Sequence, residues 1–183
     1  MSIVKKSYVF KEFPKRKLNR LKTFNYSSGN GYFVTLCSDN RAHVFGQIEG
    51  GLLLKSPCGK IAETTLVGLS EYFQNLVIDE YVIMPNHVHI IFIVDEKSGY
   101  NLSSIIQSYK SACVREGKEK GYIIKWQRSF FDHIIRDEKS LVNIKEYIRN
   151  NPLKWELDVE NKSGIDIKRY YEDIISGKIM KEK

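Results

Sequence analysis

Two β-rich runs in the middle of this 183-residue chain limit its fold more than any other part of the sequence. Residues 77–84 and 87–94 are rich in Val, Ile and aromatic side chains, which favour strands. Pro85 and Asn86 stand between the two runs, and both residue types are typical of tight turns. The sequence therefore predicts a central antiparallel hairpin.

The segments on either side of this hairpin carry strand and helix patterns. Residues 32–37 are rich in β-forming side chains and stand between two groups of turn residues, which predicts a first strand. Elsewhere apolar residues recur at intervals of three and four, the spacing of a helix that covers a sheet. The predicted helices span residues 60–76, 102–116 and 137–151, a last strand spans 130–136, residues 43–47 and 52–54 form a short hairpin or loop, and residues 165–175 form a further short helix.

In chain order the main elements are strand, helix, hairpin, helix and strand. This is the order of a ferredoxin-like α+β fold, and we predict an antiparallel sheet with its helices on one face. The third helix, with Asp137 or Ser140 as its cap, is appended after the sheet. The chain is too short for two ordinary domains, so we expect one. The predicted divisions are a basic N-terminal arm at 1–28, the domain at 29–157 and a basic C-terminal extension at 158–183.

The charge balance indicates a polyanionic partner. Lys and Arg number 29 against 22 Asp and Glu, which gives a formal net charge of +7. The eleven tyrosines, nine phenylalanines and two tryptophans could add stacking surfaces of the kind that single-strand binders use. For any single ring, however, a place in the core is the simpler interpretation.

Other features exclude several classes of protein. The three cysteines include no CxxC pair, so the sequence indicates neither a disulfide framework nor a zinc knuckle. No apolar run reaches the ~20 residues of a membrane span, and no signal peptide is evident at the N-terminus. We therefore expect a cytoplasmic, nucleoid-associated protein that does not enter a membrane.

The second β-rich run begins with two histidines that could hold a metal ion. His87 and His89 are two residues apart, and alternation along a strand sends both imidazoles to the same face. Such a pair suits Zn, Mn, Ni or Cu, and a further oxygen ligand would admit Mg or Mn. Taken alone, the pair also fits two histidines satisfied within the core or at its rim, because short histidine motifs match by chance.

A tyrosine and an asparagine share one face of the third predicted helix. Tyr147 and Asn151 are four residues apart, so a phenol and an amide oxygen would project side by side. The alternative is structural: Tyr147 would pack on the sheet, and Asn151 would end the helix before Pro152.

Three stretches of the sequence together resemble a known family. They are YVIMPNHVHI at 81–90, WQRSFFDHIIR at 126–136 and YIRNNPLKW at 147–155. In this order they look like the REP-associated tyrosine transposases, which belong to the HUH (His, hydrophobic, His) single-tyrosine superfamily. The resemblance covers about residues 31–157 and is far more specific than a His-x-His motif alone.

The resemblance implies a ferredoxin-like fold and single-stranded DNA with a hairpin as the substrate. It implies that His87, His89 and Asn151 hold Mg²⁺ or Mn²⁺ and that Tyr147 is the nucleophile. In the insertion-sequence relatives the third ligand is commonly Gln, and the shorter Asn151 resembles the residue at that place in the REP-associated branch. The implied reaction forms a 5′-phosphotyrosine and a free 3′-OH, and a second 3′-OH can reverse it.

Basic and aromatic side chains within the same region are candidates for contacts with DNA. Each of them, taken alone, also fits a solvated surface charge or a core ring. Tyr109 is the one rival to the proposed nucleophile, but it lacks an asparagine four residues later. The candidates for phosphate contacts are Lys110, Arg115, Arg128, Arg136, Arg149 and Lys154, and those for base stacking are Trp126 and Tyr109.

Two functions from other classes fit the same residues. One is a domesticated, non-catalytic nucleic-acid-binding protein that keeps the fold and the basic surface. The other is a metal-dependent DNA hydrolase that uses bound water, for which Tyr147 would be dispensable. The sequence also leaves open whether the tyrosine helix serves its own subunit or is exchanged within a homodimer.

Overall fold

The computed structural model of the protein describes residues 31–95, 99–157 and 167–178. The basic arm predicted at 1–28 lies outside the described residues, as does most of the predicted extension. In this part of the chain no helix is long and apolar enough to span a membrane. The strands are β1 (Gly31–Cys37), β2 (Gly46–Glu49), β3 (Leu52–Lys55), β4 (Leu76–Ile83), β5 (His87–Val94) and β6 (Phe131–Ile135); the helices are α1 (Pro57–Tyr72), α2 (Leu102–Glu119), α3 (Glu138–Asn150) and α4 (Ile167–Ser176); and 3-10 turns span Asp39–Arg41 and Pro152–Leu157.

Four of the strands form one antiparallel sheet in the order β4-β5-β1-β6, and β2 and β3 form a separate hairpin. The sheet and its connections have the ferredoxin-like arrangement predicted from the sequence. The hairpin predicted from the two β-rich runs is confirmed as β4 and β5. Its second strand, β5, lies in the interior of the sheet, where His89 faces Thr35 of β1.

Helices cover both faces of the sheet. Val34 and Ile90 point to one face and pack in the core beneath α1 and α2. Phe33 and Ile91 point to the other face and pack against α3 and α4. The prediction that the two helices within the ferredoxin-like order share one face is confirmed by α1 and α2, and the appended, tyrosine-bearing α3 lies on the opposite face. The apolar stripe that packs there consists of Leu141, Ile144, Tyr147 and Ile148.

The ends of α1 differ from the predicted ones. Ser56 caps the helix by accepting a hydrogen bond from the Gly59 amide, and Pro57 occupies the first turn, so the helix begins three residues earlier than expected. At the other end, Asn75 adopts a left-handed conformation (φ 63°) that turns the chain. Leu76 continues the helical spacing of apolar residues, but it begins β4 instead.

The last described helix is part of the packed domain. Tyr171, Ile174 and Ile175 of α4 are buried in the core beneath α3. The ring of Tyr171 lies 4.4 Å from that of Phe131 and 5.5 Å from that of Phe33, measured between centroids. Residues 167–178, which fall within the predicted basic extension, therefore help to build the sheet face that carries α3.

Two ion pairs join α3 to the edge strand β4. Lys145 Nζ lies 2.7 Å from Asp79 Oδ2, and both side chains are largely buried. One turn later, Arg149 donates from Nε and Nη2 to Glu80 Oε2, at 2.9 and 2.6 Å. Consecutive strand residues normally face opposite ways, but an irregularity in the β4 register between Ile78 and Glu80 lets both acids reach the helix. The helix segment on either side of Tyr147 is thereby fixed to the sheet of its own chain.

Replacing Tyr171 with Ala should lower the free energy of unfolding by about 3–5 kcal/mol, because it removes a fully buried ring. Tyr72→Ala is the control, since Tyr72 is 78% exposed at the end of α1. Urea unfolding followed by circular dichroism measures both changes. Equal, small effects of the two substitutions would show that α4 does not contribute to the core.

The Lys145–Asp79 pair should matter more for stability than the Arg149–Glu80 pair. Lys145→Ala leaves a largely buried carboxylate without its cation, and we expect a loss of about 3 kcal/mol. Arg149→Ala should cost at most about 1 kcal/mol, because the Arg149 side chain is 48% exposed and solvent screens its pairing with Glu80. The double variant Asp79→Leu/Lys145→Met should recover most of the stability. If it unfolds as readily as Lys145→Ala, the charge pairing does not explain the effect.

Candidate active site

The two histidines of β5 meet on the sheet face that α3 and α4 cover. Both side chains are fully buried, and they alternate along the strand with Val88 and Ile90, which face the other core. His87 Nε2 and His89 Nε2 lie 2.9 Å apart. The prediction that strand alternation brings both imidazoles to one face is therefore confirmed by their geometry.

The opposite ring nitrogens of the two histidines are held by polar side chains. His87 Nδ1 lies 2.8 Å from Asn86 Oδ1, and because an amide oxygen only accepts, Nδ1 donates and Nε2 carries a lone pair. His89 Nδ1 lies 2.9 Å from the Thr35 hydroxyl, which can accept in the same way. In that state two nitrogen lone pairs face one point, an arrangement that a shared cation stabilises.

His87 is electrically neutral at ordinary pH. Burial, followed by the nearby charges of Arg41 and His43, lowers its pKa to about 3. A neutral imidazole is the form that binds a metal ion. The environment of His87 therefore keeps a lone pair on Nε2 available.

Tyr147 brings a phenol oxygen to the histidine pair. Its Oη lies 3.1 Å from His89 Nε2, and the residue is only 7% exposed. Its ring stands perpendicular to that of Phe33 at 6.3 Å, and Tyr171 of α4 lies 6.2 Å away, again between centroids. These aromatic neighbours fix the direction of the Tyr147 ring, so the oxygen reaches the site without a rearrangement of the backbone.

Asn151 ends α3 one helical turn after Tyr147. It is 2% exposed, and its Oδ1 is buried without a hydrogen-bond partner. The following turn returns the chain to the histidines, where Trp155 lies 6.2 Å from His87 between ring centroids. A buried amide oxygen without a partner is costly, and a cation would satisfy it.

The candidate ligands are two imidazole nitrogens 2.9 Å apart and the amide oxygen of Asn151, which follows Tyr147 by one helical turn. Within the described residues there is no group of three or more His, Cys, Asp or Glu that could hold a metal ion. Nitrogen and amide oxygen ligands together fit a divalent cation that retains open positions for an oxygen substrate. Two imidazoles and the buried Asn151 oxygen, which has no hydrogen-bond partner, therefore fit a divalent cation.

Four of the predicted DNA contacts are engaged within the protein. Lys110 Nζ donates to the Gln127 and Ser129 carbonyls, and burial lowers its pKa. Arg149 pairs with Glu80 as described above. The rings of Tyr109 and Trp126 also pack inward: Tyr109 is fully buried and donates to the Ala62 carbonyl, and Trp126 is half-buried against Tyr109 and Phe45. Each of these four side chains therefore has a partner inside the domain in the absence of DNA, and their contacts with DNA stay predictions.

The other predicted contacts are exposed but lie in different places. Arg115 is on α2, on the far side of the sheet from the histidines. Arg128 precedes β6, and Arg136 follows it. Lys154 lies in the 3-10 turn that carries Trp155 past His87, and it is the nearest of these four to the cluster along the chain. Contacts between these residues and DNA stay predictions.

Sequence reasoning missed three residues near the cluster. Thr35 and Asn86 hold the histidine rings, and Arg41 lies close enough to His87 to affect its charge. Thr35 was detectable as a polar residue in an otherwise apolar strand, and Asn86 as the neighbour of the first histidine. No local pattern identified Arg41, because its position depends on how the loop after β1 folds back.

Comparison with known proteins identifies the family. The model of the IS200-like transposases matches residues 55–151, which include both histidines, Tyr147 and Asn151. An uncharacterized protein of Haemophilus influenzae is 34% identical over 164 residues, covering 78% of this chain and 91% of that protein. A second protein of the same organism, assigned as a REP-associated tyrosine transposase, is 29% identical over 82 residues, covering 39% of this chain and 47% of that protein.

A solved structure has the same fold. It is that of a REP-associated tyrosine transposase bound to a REP hairpin, with a TM-score of 0.54 and 20% identity, covering 85% of this chain and 74% of that one. The resemblance seen in the sequence is thus confirmed by a family model, a relative and a fold. The chain belongs to the IS200-like transposase family, with the REP-associated tyrosine transposases among its relatives.

Proposed function

We propose that this transposase cuts and rejoins single-stranded DNA that contains a hairpin, through a covalent 5′-phosphotyrosine formed on Tyr147. The observation that carries the proposal is that three polar atoms converge. His89 Nε2 lies 2.9 Å from His87 Nε2 and 3.1 Å from Tyr147 Oη. A phenol beside two buried imidazole nitrogens supplies a nucleophile and a place for a cation in one site. This combination supports a tyrosine nickase over a simple DNA-binding domain.

His87, His89 and Asn151 would hold the divalent cation, Mg²⁺ or Mn²⁺. Two features of the site support this assignment: the Nδ1 atoms are occupied by Asn86 and Thr35, and the Asn151 oxygen is buried without a partner. When bound, such a cation supplies Lewis-acid stabilisation of the charge that develops on the scissile phosphate.

The reaction we propose uses Tyr147 as the nucleophile. Its Oη loses the phenol proton and forms a bond to phosphorus, the bond to the 3′ oxygen breaks, and the released 3′ oxygen takes up a proton. A 3′-OH of another strand end can then attack the phosphotyrosine and regenerate the phenol. Because the ester bond is conserved at each step, the rejoining reaction needs no nucleotide cofactor.

The position of α3 supports catalysis within one subunit. Tyr147 contacts His89 of its own chain, and the ion pairs of Lys145 and Arg149 fix the same helix to β4. A tyrosine held in this way is already oriented for attack, so less entropy is lost on reaching the transition state.

Hairpin DNA as the substrate is supported by the fold and by charge. The REP-associated transposase with the same fold is bound to a REP hairpin. The present chain carries a net charge of +7, which favours binding to a polyanion. We extend the hairpin substrate to this protein on these two grounds.

Thr35→Val should weaken binding of Mn²⁺ about 10- to 100-fold, because the hydroxyl that orients His89 is lost while the shape of the side chain is kept. Thr35→Ser keeps the hydroxyl and should bind the ion nearly as the parent does. Titration calorimetry with MnCl₂ measures both affinities. Parental affinity in the Val variant would contradict the role of Thr35.

Tyr147→Phe should abolish the covalent protein–DNA adduct and leave DNA binding intact, since only the phenol oxygen is removed. The assay uses labelled single-stranded hairpin DNA with Mn²⁺, resolved on a denaturing gel, with Tyr72→Phe as the control. The parent and the control should form an adduct that a chelator prevents.

The same gel separates the rival functions. Metal-dependent cleavage that persists in Tyr147→Phe without any adduct would identify a hydrolase that uses water. Binding of hairpin DNA without cleavage by the parent would identify a non-catalytic DNA-binding protein.

A further inference from the structure

A cleft of about 270 Å³ opens beside the histidine cluster. Thr35 belongs to both: its side chain lines the cleft, and its hydroxyl contacts His89. Only the Thr35 side chain therefore separates the cleft from His89, where the phosphate would react. Its volume lies just under the range of about 300–1,000 Å³ that is typical of small-molecule pockets. The lining residues are Thr35, Cys37, Arg41, Gln127, Ser129, Phe130, Phe131 and Lys168.

One wall of the cleft carries Arg41 in a fixed backbone position. Arg41 has a left-handed conformation (φ 53°), as does Asn40 before it (φ 52°), and such conformations cost energy in residues other than Gly. The surrounding loop is held to the histidine turn, because the Ser38 amide donates to the Asn86 carbonyl and the Phe45 amide donates to the Pro85 carbonyl. The loop thus holds Arg41 in constant relation to His87.

A second cation and two aromatic rings complete the cleft. Lys168 is exposed on α4, the helix whose Tyr171 packs against Phe131 and His89. Phe130 and Phe131 are both half-buried and line the same cleft as the two cations. Cations spaced around aromatic side chains are the combination that binds a nucleotide of a single strand, the cations at phosphates and the rings at a base.

We propose that this cleft holds the single-stranded nucleotide next to the scissile phosphate, with Arg41 and Lys168 at its phosphates and Phe130 and Phe131 beside its base. The inference rests on the proposed function and adds to it the path of the strand at the active site. It also gives α4 a second role, since this helix brings Lys168 to the cleft while it supports Tyr147.

The charges make a quantitative prediction for binding. Each phosphate contact to a single strand contributes about 0.7 to the slope of log K against log salt concentration. Arg41→Gln and Lys168→Gln should each reduce that slope by about 0.7 and weaken binding several-fold at low salt. Lys60→Gln, which removes an exposed charge from α1 on the other side of the sheet, is the matched control and should change neither.

The test measures binding by fluorescence anisotropy in the Tyr147→Phe background, where no strand is cut. Two DNA substrates are compared: a hairpin with single-stranded flanks of four nucleotides on both sides, and the same hairpin without flanks. The losses caused by Arg41→Gln and Lys168→Gln should occur with the flanked hairpin alone. Removing the base next to the cleavage position should weaken parental binding about fivefold or more, because stacking is lost.

Three results would overturn the inference. They are unchanged binding of the flanked hairpin by both variants, equal losses with and without flanks, and an abasic substitution without effect. Arg41→Lys keeps the charge and should retain most of the affinity, so a loss there equal to that of Arg41→Gln would point to a disturbed loop and contradict the phosphate contact. If the parent binds no hairpin DNA at all, the proposed function fails first, and this inference fails with it.

Discussion

The buried contact between His87 and His89 is the constraint on which the rest of the site depends. Two imidazoles taken out of water must find partners for four ring nitrogens, since an unpaired buried polar group is costly. Asn86 and Thr35 satisfy the two Nδ1 atoms, which leaves both Nε2 atoms 2.9 Å apart. Every other feature of the site is arranged around these two atoms.

The double-sided sheet explains how such polar residues can stand in an interior strand. β5 is buried along its whole length, so its sequence is almost continuously apolar. The two histidines replace apolar residues at alternate positions on one face only, while Val88 and Ile90 keep the opposite core intact. The fold can therefore hold a polar site on the α3 side without weakening the α1 and α2 side.

Much of this arrangement could be predicted from local patterns. The alternation of residues in β5 and the turn at Pro85 and Asn86 determine the hairpin and the shared face of the histidines, because a strand has a fixed period of two. Likewise, Tyr147 and Asn151 are four residues apart, so a helix places them on one face. The predicted end of the first helix was wrong because the local pattern was ambiguous. Leu76 continues the spacing of apolar residues in α1, but the left-handed Asn75 turns the chain before it, and Leu76 begins β4.

The surface contacts were harder to predict because they depend on distant residues. Arg149 and Lys110 look like free cations in the sequence, yet Glu80 and the carbonyls at Gln127 and Ser129 engage them. Likewise, no local pattern in the sequence indicates that Arg41 lies near His87, because its position follows from backbone hydrogen bonds between two loops. The surroundings of each cation thus depend on tertiary contacts that the sequence does not show.

Mapping the covalent adduct by mass spectrometry tests the central claim most directly. The protein is incubated with single-stranded hairpin DNA and Mn²⁺, the DNA is trimmed with nuclease, and the chain is digested with trypsin. We expect a nucleotide joined through a 5′ phosphate to the peptide of residues 146–149, which contains Tyr147. A nucleotide on the peptide of residues 170–178, which contains Tyr170 and Tyr171, or cleaved DNA without any modified tyrosine, would contradict the account.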